Sequence, residues 1–393
     1  MSRTRAGGMD CARRDDDAAE RVALVAALDS HPSAPSTVSA GAHSGRRLAL
    51  TDVLRHPLAS AGSRESAALL VSTATLVLAI VPSLLVFWGR TPPISGPGSI
   101  GQFAAIGAAI TAALVFIGTR SLARVQPAEG RGDERMRWFD IAALAVAHGV
   151  IALLGWIAIA DIVDRSFIGA EVFPIASALL ASVAMACTAY LVALSAANMT
   201  PGTVSVVLML FLVVGAFASM LSASDEQWWK LHLSSLGVTD DVSALTFNIT
   251  LIIAGIMVTT VAHFGTAAIP AASPRTIRGR RIVRLELTIM GLLLCGVGLF
   301  PVDRSPTLHN LCATGMVVVF IVMVIGLRRT VPGTAQVFLT LGYAFVACII
   351  VLAVLFVTGY YTLTAVELVA FLIIFSWLLL FLRNTDGALP SPE

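Results

Sequence analysis

Apolar and polar positions alternate along this chain in long blocks rather than residue by residue. Ten apolar blocks run from Ala67 to Trp88, Ile100 to Thr119, Trp138 to Ala160, Val172 to Ala196, Thr203 to Leu221, Val242 to Thr266, Val283 to Phe300, Leu308 to Leu327, Thr334 to Thr358 and Leu363 to Leu382. A hydrocarbon core about 30 Å thick takes about 20 apolar residues of helix. Inside it every backbone polar group has to be satisfied within its own segment, so each block predicts a membrane-crossing helix. The expected fold is all-α, a polytopic transmembrane helix bundle of about ten spans. The blocks are apolar nearly all round, so periodicity assigns neither the faces that meet protein nor the order of helices in space.

The polar intervals differ among themselves. Residues 1–64 are polar and arginine-rich and predict a disordered basic tail. Within the tail, Asp17 to Leu28 form a short amphipathic patch that lacks the marks of a cleaved signal peptide. The stretch Arg46 to Leu58 suits either a membrane surface or a solvated basic arm. The longest polar interval between two apolar runs is Ser222 to Asn248, SASDEQWWKLHLSSLGVTDDVSALTFN. It holds acids, paired tryptophans, the only lysine of the chain, a histidine and a serine pair, and is the most promising address of function.

Composition closes off the soluble classes: 57% of the 393 residues are hydrophobic, 13% are charged and the mean hydropathy is +0.85. The net charge of +2 matters less than its distribution. With the N-terminus cytoplasmic, 22 of the 26 basic residues fall on the cytoplasmic side, leaving only Arg90, Arg165, Lys230 and Arg304 outside. That bias predicts both termini in the cytoplasm. Trp88, Trp156, Trp228 and Trp229 fall near outer helix ends and Trp138 near an inner one, as an interfacial belt requires, while Trp377 fits the belt less clearly. Cys295 and Cys312 lie at similar depth on neighbouring helices, so a bridge is geometrically open, although buried cysteine is more commonly a small apolar residue. No zinc spacing, phosphate loop or nucleophile elbow occurs, so no metal or cofactor is expected and the reading leans away from an enzyme. No nucleic-acid partner is expected, and the oligomeric state is left open.

Ser234-Ser235-Leu236-Gly237 followed by Phe247-Asn248, and Gly298-Leu299-Phe300-Pro301-Val302-Asp303 followed by His309, carry a resemblance. In them the chain resembles the bacterial domain-of-unknown-function 998 membrane family, which is similar to Frag/DRAM-type six-helix membrane proteins. The family pattern has a Ser-x-Leu-Gly loop after the first helix, a Gly-x-Phe-Pro end to the third, a histidine opening the fourth and an acid in the last. Those positions match Ser234 to Gly237, Gly298 to Pro301, His309 and Glu367 here. The usual basic partner after the last-helix acid is Leu368 in this chain, which removes an internal ion pair at that point. The resemblance covers roughly residues 203–383 and brings no biochemical activity with it. It implies four parts: the tail 1–64, a four-helix membrane region 65–200, a six-helix membrane domain 201–383 and a short cytoplasmic tail 384–393.

The candidate ligand-binding residues are His309, Asp303, Glu367, Ser234, Ser235 and Asn248, all on the expected outer third. Glu367 lies about one turn inside the end of its helix, where an ionisable group is a functional candidate or snorkels to the surface. His309 follows Asp303 by six residues, so a tight loop would pair imidazole with carboxylate. A loop carbonyl is the plainer partner. His148 at mid-span reads as a packing residue in preference to a proton relay, and His263, Glu286 and Asp140 near inner helix ends carry little information.

The leading expectation is a membrane protein acting in lipid or envelope processes through its outer face. Its partners would be membrane lipids and a small hydrophobic or lipid-linked ligand. A secondary transporter of five plus five helices is the first alternative, weakened because Pro82 in the first helix has no counterpart in the sixth, whose one interruption is Gly255. The second is a membrane hydrolase assembled from Ser234 or Ser235, His232, His309 and an acid.

Overall fold

Ten long helices occupy the ten apolar blocks in the computed structural model: α1 (Ala61–Phe87), α2 (Ile100–Val125), α3 (Trp138–Ser166), α4 (Pro174–Ala197), α5 (Pro201–Leu221), α6 (Val242–Gly265), α7 (Pro274–Leu299), α8 (Pro306–Thr330), α9 (Gln336–Val357) and α10 (Leu363–Asp386). All ten are long and apolar enough to cross a membrane. The structure describes residues 56–125, 136–238, 241–269 and 273–386, all of them in one compact unit of residues 49–393. The tail through residue 55, with its amphipathic patch and most of the Arg46 to Leu58 stretch, lies outside the described residues, as do Arg131, Arg135, Asp240 and residues 387–393.

The helix starts have local causes. Pro174, Pro201, Pro274 and Pro306 stand in first turns, where proline's missing N–H costs nothing. Ser60, Thr200 and Ser273 accept from the N–H three residues on. Ser273 and Thr276 bond reciprocally, so α7 starts at Pro274 rather than at the apolar boundary Val283, and Arg275, Arg278, Arg280 and Arg281 ride on its first turns. A hydropathy boundary marks where lipid ends, not where the backbone leaves the helix.

Helices α5 to α10 close into a ring, each packed on the next in sequence and α10 returning to α5. The ring interior is filled. Trp377 of α10 stacks on Phe338 of α9 (5.2 Å between centroids) and on Phe381 (5.5 Å), and meets the edge of Phe320 of α8 (5.5 Å). Trp377, Phe320 and Phe381 are fully buried, together with Met257, Leu287 and Met290. Trp377 is therefore a core residue, not an interfacial one. Gly255 of α6 and Gly291 of α7 face each other, and a Cβ on either would come within 2.5–2.6 Å of the other's carbonyl. Gly255 is thus a close-packing point in an unbroken helix, and α1 likewise runs continuously through Pro82.

The first four helices pack beside the ring. α4 lies against α1 and α2, and α2 against α3, which meets α5 and α6. Their contacts use small residues, among them the fully buried Ala105, Ala108, Ala112, Ala181, Ala189 and Ala196. Polar cross-links add to them: Ser72 donates to the Ala186 carbonyl (2.8 Å) and Trp156 Nε1 to Thr188 (2.9 Å). His148 is a packing residue, with Nδ1 on the Leu144 carbonyl (2.7 Å), Nε2 on Ser195 (3.0 Å) and its ring against Phe116. Asp140 takes up a joining role that its sequence position does not announce. Buried at the start of α3, it accepts from Arg137 N (2.9 Å) and from Thr260 Oγ1 of α6 (2.8 Å). The four described cysteines are free, and Cys295 Sγ points at the Ile252 carbonyl (3.2 Å) rather than bridging to Cys312.

Candidate functional site

The bundle has an arginine-rich end and an opposite, acidic end, and the segment 222–238 folds over the acidic end of the ring. Two short 3-10 turns shape it, Trp228–Lys230 and Leu233–Gly237. Asp225 opens the first by accepting from Gln227 N (2.8 Å), and Ser235 ties the two together by donating to the carbonyls of His232 (2.6 Å) and Trp228 (3.1 Å). Buried Leu236 anchors the second turn in the ring core. Asn248 of α6 donates to the Gly237 carbonyl (3.0 Å), and a Cβ on Gly237 would sit 2.6 Å from Asn248 Oδ1, so the close approach requires glycine. Below, Ser219 and Ser243 exchange hydrogen bonds with each other's carbonyls (3.0 and 2.9 Å), joining the end of α5 to the start of α6. Asp241 caps α6 by accepting from Ala244 N (2.9 Å) and also accepts from Ser224.

Glu367 holds this segment down. Its Oε2 accepts from Leu233 N (2.6 Å), and the Ser234 N–H bonds to the same carboxylate. Both donors sit at the start of the second turn, where N–H groups lack partners within the turn and favour negative charge. A hydrogen bond to an ionised partner that would otherwise be left unpaired contributes about 1–3 kcal/mol. The absence of a basic residue at Leu368 is thereby explained, since the carboxylate is satisfied by backbone 134 residues away in sequence.

His309 is buried at the start of α8, with Nδ1 2.9 Å from the Phe300 carbonyl. A carbonyl only accepts, so Nδ1 carries a hydrogen. Asp303 is exposed on the α7–α8 turn and makes no hydrogen bond to His309, because the Phe300 carbonyl already occupies the ring nitrogen on that side. His232 joins the two halves of the site: its Nδ1 lies 3.0 Å from Ser234 Oγ and its ring is close enough to His309 to feel its charge. Burial, followed by the like charge of His309, holds the His232 pKa below its ordinary value. Ser234, Ser235, His232 and Glu367 thus form one clamp, with His309 reached through His232, while Asp303 stays at the surface.

Beside the clamp an open groove of about 620 Å³ runs between the segment and the ends of α6 and α7. Val238, Val242 and Leu245 form its apolar wall, Asn248 and Pro301 its floor, and Asp241 and Arg304 its charged rim. Of the six candidate residues, Asn248 lines this groove. Among the described residues no three His, Cys, Asp or Glu side chains converge to hold a metal ion. His232 and Arg304 gave only weak sequence signals: a histidine two residues before Ser234 and one of four basic residues on the acidic side.

Residues 205–384 match a family model. It is the one described as Protein of unknown function (DUF998). The matched segment takes in all but the first four and last two residues of the six-helix ring, including the second-turn serines, His309 and Glu367, and none of α1 to α4. No curated protein and no solved structure shows significant similarity to the chain. With ten helices long and apolar enough to span a membrane, the chain is an integral, multi-pass membrane protein, part of which matches that family model.

Proposed function

We propose that this protein holds the polar head of a lipid or lipid-linked molecule at the outer face of a bacterial plasma membrane. The groove beside the DUF998 clamp carries the reading, because it joins an apolar wall to a rim bearing a carboxylate and a guanidinium at the level where headgroups lie. The arginine distribution supports an outward-facing acidic end and cytoplasmic termini. In this reading Asn248 contacts the head and Asp303 adds charge beside Arg304. Glu367, Ser234, Ser235 and His309 keep the segment in place rather than touching the ligand.

Native mass spectrometry of the purified protein tests it. Leu245→Trp, which fills the groove, and Arg304→Ala are each expected to remove lipid adducts that survive in the unaltered protein. Adducts retained in both variants reject the groove as the site.

The ring supports a transporter less well: its spans are continuous and its centre is packed with Trp377, Phe320 and Phe381, whereas midplane transport sites are built from broken helices around a cavity. A hydrolase is favoured by one contact, Ser234 Oγ to His232 Nδ1 at 3.0 Å, the spacing of a nucleophile and its base. It ranks second because Glu367 is engaged with backbone N–H groups and, among the described residues, no acid bonds to His232. Labelling by a fluorophosphonate that is lost in Ser234→Ala would promote it.

A further inference from the structure

The first four helices hold a second cavity system, outside the DUF998 segment and independent of the groove. At the acidic end, the loop between α1 and α2, the start of α2, the end of α3 and the loop into α4 enclose two adjoining hollows. The deeper, about 350 Å³, is walled by apolar side chains including Trp156, Ile159, Val163 and Leu180. It reaches Ala184, ten residues along α4 and so about 15 Å below its start. The shallower, about 290 Å³, presents Ser95, Ser99, Gln102 and Asp161. Gly101 and Ala160 line both, so the two share a wall. The helices nearly touch at this junction: a Cβ on Gly101 would lie 2.2 Å from the Ala160 Cβ.

From these observations we infer that the double hollow binds one amphiphile, an acyl chain of a membrane lipid in the deep part and a primary-ammonium head, able to donate N–H bonds, in the shallow part. The deep hollow is preformed, since Trp156 is fixed by its bond to Thr188. The hollow is an open apolar groove, with Ile159, Phe167 and Leu180 exposed along it, and in a bilayer the molecules at hand to cover such a groove are hydrocarbon chains. The head follows from charge. Asp161 stands at the mouth with Asp164 one turn on, both exposed, and no basic residue lines either hollow. Ser95 donates one hydrogen bond to the Asp161 carboxylate, which has about four lone-pair sites, so a carboxylate of this kind accepts further donors. An ammonium group satisfies that acceptor, whereas a head of net negative charge is repelled.

The six tryptophans include one in the wall of the deep hollow, which makes fluorescence quenching the direct test. Full-length protein is reconstituted in phosphatidylcholine containing a minor fraction of chain-brominated phosphatidylethanolamine, phosphatidylcholine or phosphatidylglycerol. The quenching missing from Trp156→Phe isolates the Trp156 signal. Phosphatidylethanolamine is expected to quench it about two- to five-fold more effectively than phosphatidylcholine, the range of a solvent-exposed ion pair. Asp161→Asn should bring that ratio close to one, and Ala104→Phe should abolish the specific quenching by filling the hollow. Ala170→Phe, at the exposed mouth, does the same without disturbing the core. Equal quenching by the two zwitterionic lipids, or stronger quenching by phosphatidylglycerol, overturns the ammonium assignment. Trp156 quenching that survives both filling variants overturns the hollow as the chain site.

Discussion

The six-helix ring and the four helices beside it solve the same problem in different ways. In lipid no hydrophobic force drives helix against helix, so association rests on close packing and hydrogen bonds. The ring buries large side chains in its own interior, where Trp377, Phe320, Phe338 and Phe381 interlock, and places glycine at close crossings such as Gly255 with Gly291. The first four helices instead approach mostly through alanine and glycine, with Phe87, Phe116 and Leu144 buried among them, and leave many large residues on their outer faces. In α1, for example, Leu78 and Leu85 are about three-quarters exposed. A ring can complete its core by itself, whereas a row of helices packed through small residues leaves spaces at its ends. That is why the filled core lies in one region and the preformed apolar hollow in the other.

The sharpest way to break this comparison is to remove one tryptophan from each region. Trp377→Ala should cost about 3–5 kcal/mol, as expected for a buried aromatic that leaves a cavity, and should lower the thermal midpoint in detergent sharply. Its indole N–H has no acceptor among the described residues, so Trp377→Phe should be much milder. Trp156→Ala borders an existing hollow and should cost about 1–2 kcal/mol, chiefly its bond to Thr188 and part of its packing. Equal losses at the two positions would erase the distinction.

The clamp comes next in size. Glu367→Ala leaves the Leu233 and Ser234 N–H groups unpaired, at about 1–3 kcal/mol, and should speed hydrogen exchange at residues 233–237 while sparing α1 to α4. Unchanged exchange there would show that the carboxylate does not hold the turn. A smaller effect probes the join between regions: Thr260→Val removes one donor to buried Asp140 and should cost about 1 kcal/mol. Combined with Asp140→Asn, its effect should be less than additive in thermal unfolding, and strict additivity would mean that the two side chains do not act together.

The smallest effect is a pH dependence confined to the clamp. His232 has a lowered pKa in the folded state, so the unfolded segment binds the proton more readily. Stability from this histidine is complete above its ordinary pKa of about 6.5 and is lost as pH falls below that value toward the folded pKa. Tryptic cleavage after Lys230 should therefore rise between neutral and mildly acidic pH, after correction for the protease's own profile, and His232→Gln should flatten the response. A rise of equal size in that variant would assign it to another group.

Much of the architecture was readable from residue order. Ten apolar blocks became ten helices because a backbone in lipid has to close its own hydrogen bonds. The serine pair, Gly237, His309 and Glu367 marked the acidic end of the ring before any coordinates did. What these residues touch was not readable. His309 meets a carbonyl rather than Asp303, and Glu367 meets backbone N–H groups that carry no side-chain signature at all.

By itself, then, the sequence determined the number of crossings, the contrast between arginine-rich and acidic ends, and the stretch that covers the ring, since each depends on polarity summed along the chain. The tertiary structure alone decided that α5 to α10 close on themselves, that Trp377 sits in their core, that Asp140 links α3 to α6, and that a hollow opens between α2, α3 and α4. The physical reason is that a helix apolar on every side has no preferred face in lipid. Its buried face is chosen by the shape of the partner it meets, and shape is a property of the assembled surfaces rather than of residue order.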